Sequence, residues 1–297
     1  MYSAVTANKV KTVILIAMFV AIIAAIGWVI SISMQRPGIF IPVAIFALVY
    51  ATVGYFASAK IATAMTGAKE VGKKDAPRLY RTVENMSITA GLPMPKVYVI
   101  DDPAPNAFAT GRKPDKSIVA ATTGLLDMME DSELEGVIAH EMSHIQNYDI
   151  RVMGVVLVLV TIIAFISDFL LHMGLFGGFS DDNREGGAIM IALSLAAAII
   201  APIAAMLLKA AVSRRRELLA DVSGVQLTRY PEGLINALCK IENYSRPMQK
   251  ANSATAHLFI SNPLGKGKAS RRFAKLFSTH PPVDERVDQL QEVGREL

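Results

Sequence analysis

The sequence predicts a mostly α-helical membrane protein, with four apolar helices in two hairpins and a water-soluble α+β part that carries a small sheet. Three observations predict it. Hydrophobic residues make up 52% of the 297-residue chain against 19% charged, and mean hydropathy is +0.38, too apolar for an ordinary soluble chain of this length. Long charge-free runs come in two closely spaced pairs. Between the pairs, strand-like and helix-like patterns alternate and end in His140-Glu141-Met142-Ser143-His144.

Thr12 to Met34 is a run of 23 residues without a charge, and Ile39 to Ala59 is another of 21. Each is long enough to cross a hydrocarbon core of roughly 30 Å. Gln35-Arg36-Pro37-Gly38 turns one back onto the other. The first run is too long for the apolar part of a signal peptide and lacks a clean small-residue cleavage site, so it reads as an anchor.

The water-soluble stretch follows. Ala76 to Ala90 has Leu79, Val83 and Met86 at helical spacing, and Gly91-Leu92-Pro93 stops it. Lys96 to Asp101 is a strand between Pro95 and Pro103. Asn106 to Thr110 and Ser117 to Ala121 are two further strands joined by Gly-Arg-Lys-Pro-Asp, and a helix starts near Thr123. The histidine-bearing helix is expected to open at Ser132, with Glu135 completing a capping box.

Val152 to Ser167 begins the second hairpin, Asp168 interrupts it, and Phe169 to Ser180 continues it. This is the weakest of the four spans. A Gly-rich polar loop leads to Gly186–Leu208, a clean run of 23. Beyond it, Pro231 opens a helix to Tyr244, Asn252 to Lys275 is irregular, and Val283 to Leu297 is an amphipathic helix. The expected organisation is a membrane hairpin (1–60), a catalytic part with the sheet (61–151), a second hairpin (152–212) and a C-terminal helical part (213–297).

A single Cys239 excludes an intramolecular disulfide and a thiolate metal cluster. The net charge of +4 is small. Lys60, Lys69, Lys73, Lys74, Arg78, Arg81 and Arg151, with Lys209 and Arg214 to Arg216, flank the spans on one side, which places both soluble parts and the N-terminus in the cytoplasm. The basic residues therefore read as topology signals, and no nucleic-acid partner is expected.

His140 and His144, four apart on a helix, present two imidazoles on one face and suit one Zn²⁺. Glu141 is placed to serve as general base towards a metal-bound water. Their surroundings, Val137 to Ile145, are apolar, so the helix is buried or lines a cleft. A third ligand is needed. Glu217 fits best, with Asp221 one turn on to hydrogen-bond a ligating histidine. The competing reading pairs both acids with Arg214 and Arg216 on a solvated helix. Both metal-binding halves lie on one side of the membrane only if the insertion between them crosses an even number of times, as two apolar runs do. Asn147 falls on the histidine face and reads as a support for the ligands or a surface amide. Asp149 reads as a local ion pair with Arg151.

His-Glu-Met-Ser-His-Ile-Gln-Asn-Tyr-Asp (140–149), Ser-Arg-Arg-Arg-Glu-Leu-Leu-Ala-Asp-Val-Ser-Gly (213–224), Asn-Ala-Phe-Ala-Thr-Gly (106–111) and Ser-Thr-His-Pro-Pro-x₃-Arg (278–286) together resemble the M48 zinc metallopeptidases. The resemblance covers essentially the whole chain, and the two hairpins match the smaller membrane proteases of the family better than the larger CAAX-processing members. It implies a gluzincin-like α+β zinc peptidase domain, one Zn²⁺ held by His140, His144 and Glu217, and Glu141 as base. It further implies His280 and Arg286 as oxyanion or substrate contacts, membrane-protein or peptide substrates, and a quality-control role in a prokaryotic inner or plasma membrane beside other such proteases. Leu218 and Val225 depart from the family pattern at packing positions. Asn106, Ala107, Phe108, Ala109 and Thr110 form a short edge strand to which a substrate strand can add. A CAAX-type processing peptidase and an inactive membrane scaffold or chaperone are the competing functions; an intact Glu141 disfavours the scaffold.

Overall fold

The computed structural model describes residues 2–33, 36, 38, 40–176, 214–244, 246–250, 252–265 and 281–296. The fourth apolar run and His280 lie outside them. Helix α1 (Tyr2–Ser33) and helix α2 (Phe40–Thr66) are the first two apolar runs, and each is long and apolar enough to cross a membrane. On α2 the buried face is a stripe of small residues, Ala47, Ala51, Gly54, Ser58 and Ala62, which lets other helices approach closely. A Cβ on Gly54 would lie 2.2 Å from the Val158 side chain. Val13, Ile14, Trp28, Ile41, Val53 and Phe56 remain exposed, a surface suited to lipid and not to water.

Strand β1 (Lys69–Glu70), helix α3 (Pro77–Ala90) and strands β2 (Lys96–Ile100), β3 (Ala107–Gly111) and β4 (Ser117–Thr122) follow. The sheet order is β1-β2-β4-β3, with β2 parallel to β4 and the outer pairs antiparallel. Residues Ala107 to Gly111 pair with Ala121 to Ser117, so β3 is an outer strand one residue later than expected. Its outer side is not bare. Ile260 N–H donates to the Ala107 carbonyl at 3.0 Å, and Phe108 bridges Phe259. The Asn106 amide extends this pairing to both backbone groups of Ser261, at 2.9 and 3.2 Å. The C-terminal segment thus covers the first half of the strand read as a free edge.

Helix α4 (Thr123–Met128) is capped by Thr122, whose Oγ1 accepts the Leu125 N–H at 3.1 Å. Helix α5 (Asp131–Gln146) carries both histidines. Its capping box lies two residues before the expected one: Glu133, at the third helical position, accepts the Glu130 N–H at 2.8 Å. The same carboxylate reaches Lys240 at 2.6 Å, which favours Glu133 over the outward Glu135. Twelve of the sixteen α5 residues are buried, because helices pack on it from several sides.

Tyr148, at φ 60°, ends α5 and turns the chain by 82° into helix α6 (Asp149–Phe176). This third apolar helix runs unbroken through Asp168. Its buried first half, Val152 to Ile163, packs against α1, α2 and β3. Helices α7 (Arg214–Thr228), α8 (Pro231–Asn243) and α9 (Val283–Glu296) complete the described chain. Gly224 permits a close crossing of α7 on α5: a Cβ there would sit 3.0 Å from the His140 backbone nitrogen.

Candidate metal centre

The α5–α7 crossing brings three side chains to one point. His140 Nε2 and His144 Nε2 are 3.2 Å apart, as one helical turn dictates. Glu217, buried in the first turn of α7, sets Oε2 3.8 Å from His140 Nε2 and Oε1 3.8 Å from His144 Nε2. One ligand atom from each lies within 4.8 Å of the others. Tetrahedral zinc bonds of about 2.0–2.2 Å require donors at roughly this mutual spacing.

The outward ring nitrogens decide which atoms can bind. His144 Nδ1 is 3.0 Å from Asp149 Oδ2, and His140 Nδ1 is 2.9 Å from Asp221 Oδ1, the latter at an angle oblique for a straight hydrogen bond. A carboxylate on each Nδ1 places the proton there and leaves both Nε2 lone pairs facing inward. Two inward lone pairs 3.2 Å apart beside a carboxylate need a cation between them. Without an ion, a proton takes that place. Burial alone would lower the His144 pKa, but the Glu217 charge, helped by Asp149, outweighs it and lifts the group to about 9. His140 moves down, because burial outweighs the help of Asp221.

Glu141 is buried beside this cluster, with its carboxylate near the Ala109 N–H of β3. Burial chiefly pushes its pKa up to about 7. The outer strand therefore packs beside the expected base.

Asp221 is itself clamped. Arg286 Nε and Nη2 donate to its two oxygens at 2.7 and 2.6 Å, while Nη1 points at the Ile260 carbonyl at 3.4 Å. Burial raises the Asp221 pKa, but the guanidinium more than reverses this and holds the carboxyl well below its usual range. Arg286, expected from the resemblance as an oxyanion or substrate contact, is 1% exposed, and its guanidinium is engaged by the Asp221 carboxylate. His280 lies outside the described residues.

Asn147 caps α5, and its carbonyl accepts from Asn8 Nδ2 at 2.9 Å. Asp149, read as a local ion pair with Arg151, instead orients His144. A straight helix would carry position 149 off the histidine face; the break at Tyr148 returns it. The stop signal Asn147 and the helix-starting Asp149 carry that break in the sequence. His257 is buried with Nε2 3.0 Å from the Met153 carbonyl of α6.

Residues 73–293 match Peptidase family M48. Over its full length the chain is 48% identical to a protein named "Protease HtpX homolog" from Tropheryma whipplei, covering all of that protein. It is 44% identical to a "Protease HtpX homolog" of Streptococcus gordonii, over 99% of this chain and all of that protein. Among solved structures, S. mikatae Ste24p has a similar fold, with a TM-score of 0.51 at 19% identity, over 98% of this chain and 66% of that one.

Proposed function

Since the chain belongs to peptidase family M48 and is a membrane metallopeptidase, we propose that it is a zinc endopeptidase that cuts misfolded or damaged membrane proteins at the cytoplasmic face of a prokaryotic membrane. The observation that carries this reading is the convergence of His140, His144 and Glu217 within 4.8 Å, with Glu141 beside them. His140, His144 and Glu217 would hold the ion, which when bound would supply an acidified water and polarise the scissile carbonyl. Glu141 would serve as the proton carrier, taking the water's proton on its carboxylate and delivering it to the leaving amine. Asp149 and Asp221 keep Nδ1 of each histidine protonated, and Arg286 acts through Asp221.

The strand β3 supplies substrate affinity through its backbone. A client strand adds at the Ala109 end, beyond the part covered by Phe259 and Ile260, and lies against Glu141. Main-chain pairing selects little by sequence, which suits varied clients. Multiple crossings, with the N-terminus and the site cytoplasmic, follow from Lys60, Arg151 and Arg214 to Arg216 flanking the spans.

Glu141→Gln in the full chain, reconstituted in liposomes with zinc, is expected to lower cleavage of a model membrane client by about 10²–10⁴-fold while zinc content stays near one per chain. Cleavage at the wild-type rate by the zinc-loaded variant would sink the assignment. So would a wild-type protein purified without chelator that carries no zinc.

A further inference from the structure

The first turns of α1 reach the metal centre. Asn8 is 6% exposed on a helix otherwise suited to lipid. Its Nδ2 donates to Asp149 Oδ1 at 2.7 Å and to the Asn147 carbonyl at 2.9 Å. Both partners only accept, so the amide has one workable orientation, nitrogen towards the bend. Next to it, the Lys9 ammonium lies 5.2 Å from the Tyr148 ring centre. Three successive residues of the α5–α6 bend are therefore gripped by two successive residues of α1. The other oxygen of Asp149 faces His144 Nδ1 at 3.0 Å. The chain of contacts runs from the N-terminal membrane helix through one carboxylate to one histidine.

We infer that Asn8 is a positioning residue of the metal centre, holding Asp149 so that His144 presents Nε2 to the ion, and that α1 is thereby part of the site and not only an anchor. The inference rests on the zinc reading given above. A carboxylate at the start of α6 has rotamers that face away from α5. Asn8 fills the oxygen opposite the histidine and disfavours them. The same bond ties α1 to the bend, so displacement of α1 in the membrane loosens the grip on His144.

The test is zinc release from the full-length, zinc-loaded protein in detergent to an excess of chromogenic chelator. Asn8→Ala is expected to speed release by about 3–10-fold, less than the roughly 10–100-fold typical for loss of a direct partner of a metal ligand. Asn8→Asp keeps the size but turns the donor into an acceptor facing a carboxylate, and release is expected to be at least as fast. Leu15→Ala removes a buried apolar contact of α1 without touching the bend, and its release stays within about 2-fold of wild type. In an Asp149→Ala background, Asn8→Ala adds less than about 2-fold, because its route to the ion is already gone. Unchanged release in Asn8→Ala and Asn8→Asp would overturn the inference. Equal acceleration by Leu15→Ala, or an undiminished effect without Asp149, would overturn it too, by pointing to general packing. A wild type without bound zinc fails at the earlier step and overturns the zinc reading itself.

Discussion

His140 and His144 sit one turn apart on the same helix, yet different parts of the protein hold them. Behind His140, Asp221 is locked by two hydrogen bonds from Arg286, a buried ion pair between α7 and α9. Behind His144, Asp149 accepts one hydrogen bond from a neutral amide of α1, with the Arg216 charge nearby. The first arm closes within the soluble part and is charged on both sides. The second joins that part to the membrane and is weak by comparison. The contrast lies in the partners, since both carboxylates are buried: Arg286 donates to both Asp221 oxygens, whereas Asp149 at the head of α6 has the Asn8 amide on one oxygen, the Arg216 charge nearby and the helix's own N–H groups. The difference predicts that breaking the first arm mainly harms folding, and breaking the second mainly harms metal retention.

The largest effect is expected at the first arm. Arg286→Leu leaves the Asp221 carboxylate buried without its guanidinium, and the full-length protein in detergent should lose about 3–5 kcal/mol of unfolding free energy. Adding Asp221→Asn removes the stranded charge and should return most of that loss. A single variant that loses less than about 1 kcal/mol would erase the distinction between the arms.

A smaller effect in stability, but a larger one in metal binding, is expected at the second arm. Asp149→Ala should weaken zinc about 10–100-fold in a chelator competition. Its unfolding free energy in the metal-free form should fall by less than that of Arg286→Leu. If the two variants rank the same way in both measurements, the arms are equivalent and the comparison fails.

How far the sequence carries this picture follows from the range of each interaction. Strands β2 and β4 are readable to within a residue because Pro95, Pro103 and the Gly-Arg-Lys-Pro-Asp turn bound them locally. The shared faces of His140 and His144, and of Glu217 and Asp221, follow from helical periodicity alone. The partners behind the histidines do not. Arg286 is 65 residues from Asp221, and Asn8 is 141 from Asp149. Neither pairing has a local signature, and Arg151 offered Asp149 a nearer and misleading partner. The cover on β3 by Phe259 and Ile260 was hidden for the same reason, since Asn252 to Lys275 has no strand periodicity. Three dimensions were needed wherever a polar group found its partner across the fold.

An effect that vanishes at neutral pH tests where the two arms meet. His257 donates from Nε2 to the Met153 carbonyl of α6, and three residues on, Ile260 touches both β3 and Arg286. Burial lowers the His257 pKa to about 4, against 6.5 for a free imidazole, so the folded protein keeps it neutral. As pH falls below 6.5 the unfolded chain takes up a proton that the folded one refuses. Stability from this group is therefore complete above pH 6.5 and is lost progressively down to about 4. The slope approaches about 1.4 kcal/mol per pH unit for one proton. Other groups titrate in the same range; Glu141 in the metal-free protein works in the opposite sense. The informative quantity is accordingly the difference between wild type and His257→Gln, which keeps a donor for Met153 but cannot titrate. Unfolding free energies between pH 7 and 4.5 should show the wild type losing stability more steeply than the variant, by up to one proton's slope. The joint would then be the acid-sensitive element, with the Asp221–Arg286 arm unaffected until far lower pH, because its carboxyl stays ionised there. Parallel slopes for the two proteins would mean that His257 is already hydrated or charged when folded, and that the joint does not distinguish the arms by pH.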